Sequence, residues 1–91
     1  MGYAEATVKL LNKVGLHARP AALFVQTASK FKSHILVRKD EKKANAKSIL
    51  EVLSLGAEYG SMITIMANGE DAEKAVEALA ELVKNKFYEE Q

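Results

Sequence analysis

Apolar residues recur at two periods along this chain, and the places where the period changes divide it into elements. Over residues 4–10, Ala4, Ala6, Val8 and Leu10 alternate with Glu5, Thr7 and Lys9, the period-two pattern of a strand with one face buried. Asn12, Lys13, Val14 and Gly15 interrupt it, and a turn is expected there. From residue 18 to residue 31 the spacing becomes that of a helix. Ala21, Phe24, Val25, Ala28 and Phe31 form one stripe, while Gln26, Thr27 and Lys30 fall off it, as on a helix that covers a sheet. At about 100° per residue, Leu23 lands with Gln26 and Lys30, so it is expected on the wet side.

Residues 33–39 read as a second strand with Ile35 and Val37 inward. Asp40 and Glu41 turn the chain into a weaker strand over 43–46. Lys42, Lys43 and Lys47, in and beside it, carry charge that discourages further pairing, which places it at a sheet edge. Ser48-Ile49-Leu50-Glu51 fits the Ser-x-x-Glu capping box and opens a short helix through residue 55, stopped by Gly56. Its apolar residues split into two arcs, Val52 with Leu55 and Ile49 with Leu50 and Leu53. A helix lying on one sheet buries only one arc fully, so the other is expected to form a compact apolar patch suited to a partner.

A loop over 58–61 leads to a fourth strand at 62–67, with Ile63, Ile65 and Ala67 on one face. Asn68-Gly69 turns the chain, Asp71 is expected as an N-cap, and the helix 72–87 carries the stripe Ala75, Val76, Leu79, Leu82, Val83 and Phe87. Lys84 and Lys86 suit its last turn, and residues 89–91 are expected to fray. The order β-α-β-β-α-β-α predicts an α+β fold in two layers, three helices on one face of a four-stranded, mainly antiparallel sheet and water on the other.

Composition narrows the function more by exclusion than by suggestion. A chain of 91 residues has room for one core, so a single domain over 1–91 is expected. With 13 basic and 12 acidic residues interspersed and a net charge of +1, it lacks the electrostatic footprint of a nucleic-acid binder. The absence of cysteine excludes disulfides and thiolate metal sites. The two histidines, His17 and His34, stand far apart; neither a metal nor a cofactor is expected. No run approaches the ~20 apolar residues that cross a bilayer, and no basic-then-apolar leader is visible. A cytoplasmic location without membrane insertion is expected.

The chemistry concentrates in Gly15-Leu16-His17-Ala18-Arg19-Pro20-Ala21. A backbone that turns at Gly15 and starts a helix near Ala18 leaves unpaired N–H groups beside residue 17, which makes an anion site. Arg19 adds a planar cation that matches phosphate oxygens. A cation near a helix N-terminus opposes the dipole, so its position calls for an anion to bind. Pro20 sits early in the helix, where a missing N–H costs nothing. A neutral imidazole is nucleophilic near pH 7, so His17 fits a phosphoryl acceptor steadied by Arg19 and by the Ala18 amide. His34 opens a strand without a companion motif and reads as structural.

This stretch, with Gln26-Thr27-Ala28-Ser29-Lys30-Phe31, Asn45-Ala46-Lys47-Ser48-Ile49 and Leu53-Ser54-Leu55-Gly56, resembles HPr, the family of histidine-containing phosphocarriers of the bacterial phosphoenolpyruvate-dependent sugar phosphotransferase system. The likeness runs from about residue 4 to residue 87. It implies an open-faced β-sandwich with strand order 1-4-2-3 and a monomeric carrier, not itself a catalyst. Such a carrier takes phosphate from phosphorylated Enzyme I and gives it to the A domains of sugar permeases, with the phosphoryl group on Nδ1 of His17. A related regulatory branch lacks that histidine.

The resemblance also implies a docking surface from Leu16, Ile49, Leu50 and Leu53, to which the expected exposure of Leu23 and the charge of Lys47 add. In many Gram-positive members the serine matching Ser48 is phosphorylated by a serine kinase, and the product binds a transcriptional regulator. Here Ser48 also completes a capping box worth ~1 kcal/mol, and Glu51, where many regulated relatives have glycine, would repel a phosphate. Two other functions remain compatible with these residues: a paralogous carrier in a nitrogen-related regulatory phosphorelay, and a non-transferring interaction module that works through Ser48 and the apolar patch.

Overall fold

Alternation along the strands becomes register in the sheet. The computed structural model describes residues 2–89. It contains β1 (Tyr3–Lys9), α1 (Ala18–Ala28), β2 (His34–Lys39), β3 (Lys42–Asn45), α2 (Ile49–Ser54), β4 (Met62–Asn68), α3 (Ala72–Lys84) and a 3₁₀ turn (Lys86–Tyr88). The strands lie in the order β1-β4-β2-β3, and every neighbouring pair is antiparallel. Ala6 and Val37 both pair with Ile65, Val8 pairs with Ile63, and Val37 also pairs with Ala44. A single apolar face results, and the three helices cover it with Ala21, Phe24, Val52, Leu55, Ala75 and Leu79 among the buried side chains. The opposite face carries polar pairs such as the Thr7 and Thr64 hydroxyls, 2.9 Å apart. The weak strand is at the edge, as its lysines imply.

Several local expectations need correction. Helix α3 stops at Lys84, not Phe87. Asn85 donates to the Glu81 carbonyl from both its backbone and its side chain, at 3.0 and 2.9 Å. Lys86, Phe87 and Tyr88 then all take positive φ. Reversing the hand costs ~1–2 kcal/mol per residue; the reward is that Phe87 swings back into the core, where it is buried. Periodicity places Phe87 in the core correctly and its backbone wrongly. Helix α1 likewise ends at Ala28, three residues before Phe31, through tighter bonds from Lys30 to Thr27 and from Phe31 to Ala28. Of the residues expected to fray, Glu89 accepts a hydrogen bond from the Asn12 side chain at 3.3 Å, and Glu90 and Gln91 lie outside the described residues.

Asp71 does not cap α3 with its side chain. Its carboxylate accepts instead from the Lys32 and Ser33 amides, at 2.9 and 3.0 Å, and from the Ser33 hydroxyl, pinning the start of α3 to the turn before β2. The Ser33 hydroxyl first, and then the Lys32 amide, hold this carboxyl below the usual carboxylate range. A depressed folded-state value adds stability above the unfolded value of ~3.9 and loses it as the pH falls through the folded value. Asp71→Asn should therefore lower the melting temperature at neutral pH, and the gap to the wild type should narrow as melts are repeated below pH ~4. A gap independent of pH would show that ionisation at Asp71 is irrelevant.

The capping box is half made. Ser48 Oγ accepts from the Glu51 amide at 3.3 Å, but the Glu51 carboxylate turns to the Asn45 amide at 2.8 Å. The Ser48 amide bonds the Asn45 carbonyl at 3.0 Å, which leaves it no need of Glu51.

Candidate functional site

His17 is the N-cap of α1, with extended backbone (φ −85°, ψ −168°) and no side-chain capping bond. The first helical bond runs from the Ala21 amide to the His17 carbonyl at 2.8 Å. Ala18, Arg19 and Pro20 thus occupy the positions whose N–H groups have no carbonyl inside the helix. Proline carries no N–H, so the donors offered to an anion are the Ala18 and Arg19 amides. The first turn contains no acidic residue, and His17, Ala18 and Arg19 are exposed. The arrangement therefore presents an unencumbered imidazole, two backbone donors, a guanidinium on the same turn and the positive end of the helix dipole.

What holds His17 there is the loop before it. Gly15 has φ +66°, and a Cβ on it would lie 2.5 Å from the Glu58 Cα and 2.7 Å from the Ala57 carbonyl oxygen. Only glycine lets the loop lie this close against the segment after α2. The Leu16 amide donates to the Ala57 carbonyl at 3.0 Å, and the Gly15 amide to the Asn12 carbonyl at 3.2 Å.

The residues expected to surround His17 divide. Leu16 is 2% exposed and belongs to the core, which corrects its assignment to a partner surface. Its side chain goes inward because its amide is bonded to Ala57 beside the buried Leu55. Leu23 is half-buried against the core and not on the wet side. Lys47 is also half-buried, and its Nζ donates to the Phe31 carbonyl at 2.7 Å, so it ties the segment before α2 to the turn after α1. In α2, Val52 and Leu55 are buried, while Ile49, Leu50 and Leu53 are 37%, 77% and 38% exposed, which is the division the two arcs imply. Because α2 packs on α1, this patch is carried on the helix next to the one that begins at His17.

In the sequence Asn12 reads only as a turn residue. Its side chain is wholly buried and donates to the Gly15 carbonyl at 2.9 Å. The available signal was an asparagine three residues before a turn glycine, where its amide can close the loop. Among the described residues no group of three or more His, Cys, Asp or Glu is placed to hold a metal ion, and no helix is long and apolar enough to cross a membrane.

Known proteins are similar to this chain over nearly its whole length. Residues 4–85 match the family described as the PTS HPr component phosphorylation site. The phosphocarrier protein HPr of Treponema pallidum (strain Nichols) is 46% identical over 84 residues, which span 92% of this chain and 96% of that protein. The crystal structure of HPr-C-His from Thermoanaerobacter tengcongensis is 56% identical, with a TM-score of 0.94 over 97% of this chain and 99% of that one. An HPr dimer from the same organism, also 56% identical, gives 0.77 over 92% and 97%. On this sequence match, shared fold and coverage, the chain belongs to the HPr family of phosphocarrier proteins of the phosphotransferase system.

Proposed function

We propose that this chain takes a phosphoryl group onto His17 from phosphorylated Enzyme I and passes it to the A domains of sugar permeases in the cytoplasm, as a stoichiometric carrier and not a catalyst. The observation that carries this reading is an exposed histidine at the α1 N-cap whose side chain makes no capping bond. Its neutral ring nitrogen attacks phosphorus in line. The nitrogen–phosphorus bond forms as the donor's bond to phosphorus breaks, and the Arg19 guanidinium with the Ala18 and Arg19 amides steadies the oxygens as their charge redistributes. The reverse geometry serves donation. All of these groups come from one chain, so a monomer suffices.

Ile49, Leu50 and Leu53 are the surface on which both partners dock. Leu50→Glu keeps a good helix former in the first turn of α2 and should leave the melting temperature unchanged. It should raise the KM of Enzyme I for this protein by about tenfold, the effect of losing one buried apolar anchor. An unchanged KM would remove Leu50 from the interface.

The test of the function is incubation with phosphoenolpyruvate and purified Enzyme I, followed by mass spectrometry before and after mild acid. One phosphate that disappears in acid is the expected result. A phosphate that survives acid would place it on a hydroxyl side chain, with Ser48 the candidate, and favour an interaction module instead.

A further inference from the structure

We propose that Asn12 is a positioning residue for His17, an inference that rests on the phosphoacceptor reading above. Its side chain is wholly buried, although asparagine is mostly a surface residue. Nδ2 donates to the Gly15 carbonyl at 2.9 Å and to Glu89 Oε1 at 3.3 Å. Oδ1 is buried with no hydrogen-bond partner among the described residues, and a stranded buried acceptor is a cost to folding. An apolar side chain of similar volume would strand no oxygen of its own. Retaining the amide makes sense when its N–H has a task.

That task is visible in the peptide between Gly15 and Leu16. Its carbonyl is held by Asn12 Nδ2, and its N–H is held by the Ala57 carbonyl at 3.0 Å. Clamped from both sides, this plane cannot rotate, and the next Cα beyond Leu16 is that of His17. The Gly15 amide closes the turn on the Asn12 carbonyl. Asn12 thus fixes the direction in which the chain enters the α1 N-terminus, and with it where the imidazole stands relative to the Ala18 and Arg19 donors. Through Glu89 it also joins this loop to the segment after α3. Asn12 touches no reacting atom; it acts through the Gly15–Leu16 peptide.

The test compares Asn12→Asp, which keeps the shape but replaces the donor by an acceptor, with Asn12→Leu, which removes the polarity. For each folded variant, Enzyme I kinetics and a backbone-plus-imidazole NMR spectrum are recorded. The expected result is a kcat lowered by about tenfold or more, the scale of a small misplacement of reacting groups. KM should be unchanged because the α2 patch is intact. Beyond the immediate neighbours of residue 12, shifted resonances should be confined to Gly15, Leu16, His17 and the chain around Glu89. An unchanged kcat in either variant would overturn the proposal. So would a loss of rate that only tracks the unfolded fraction at the assay temperature. If the wild type takes no phosphate at all, the function above fails, and the NMR arm decides this inference alone: unmoved His17 ring signals in both variants overturn it, displaced ones support it.

Discussion

His17→Ala should abolish phosphorylation by phosphoenolpyruvate and Enzyme I while leaving the protein folded. The imidazole is exposed and makes no capping bond, and substitutions at such surface positions stay within about 0.5 kcal/mol. Its loss removes the imidazole that stands at the α1 N-cap. His34 does not replace it, because it opens β2 opposite Asn68, the last residue of β4, and not at the α1 N-terminus. The expected outcome is a melting curve close to that of the wild type and a label at background. Residual acid-labile label on the variant would mean that a different group accepts the phosphate.

Gly15→Ala should be the most damaging small substitution in the loop. Alanine at φ +66° costs ~1–2 kcal/mol from the left-handed backbone alone. The new Cβ would also overlap the Glu58 Cα and the Ala57 carbonyl, at 2.5 and 2.7 Å. Both are backbone atoms, so no rotamer change relieves the overlap, and the loop must lift from the segment after α2. A total of about 3 kcal/mol is expected, a fall in melting temperature on the order of 15 °C for a domain of this size. The lifted loop also displaces His17, so transfer should slow in the fraction that remains folded. Gly56→Ala is the internal comparison. Gly56 has φ +64° but nothing within 4 Å of the added Cβ, and only the left-handed cost of ~1–2 kcal/mol applies. Equal melting temperatures for the two variants would contradict the close approach at Gly15.

The two substitutions probe parts of the site that differed in how well the sequence revealed them. The sheet, its order of elements and the two arcs of α2 follow from periodicity, because Val37, Ile63 and Ile65 on strands and Val52 and Leu55 on α2 obey fixed angular spacing. Loops have no such spacing. Leu16 therefore looked like a surface leucine and is core, since a hydrogen bond to Ala57 from a distant segment decides its direction. Asn12 is buried for the same tertiary reason. For Lys47 and Asp71 the local chemistry is legible and the intramolecular partner is remote: the ammonium donates to the Phe31 carbonyl and the carboxylate accepts from the turn at Lys32 and Ser33. The end of α3 failed differently, because Phe87 satisfies a helical stripe while standing on left-handed backbone. At the α1 N-terminus the reading was direct. The Gly15 turn, the His17 cap and the helix start at Ala18 each have a local signature in the residues themselves.

The central claim is that the phosphate resides on the His17 ring, and the most direct measurement is a long-range ¹H–¹⁵N NMR spectrum of the protein after phosphorylation from phosphoenolpyruvate and Enzyme I. The Nδ1 resonance of His17 should move, His34 should stay where it was, and mild acid should restore the original spectrum. A phosphorylated protein whose His17 ring signals are unchanged, with the perturbation at Ser48 or His34, would contradict it.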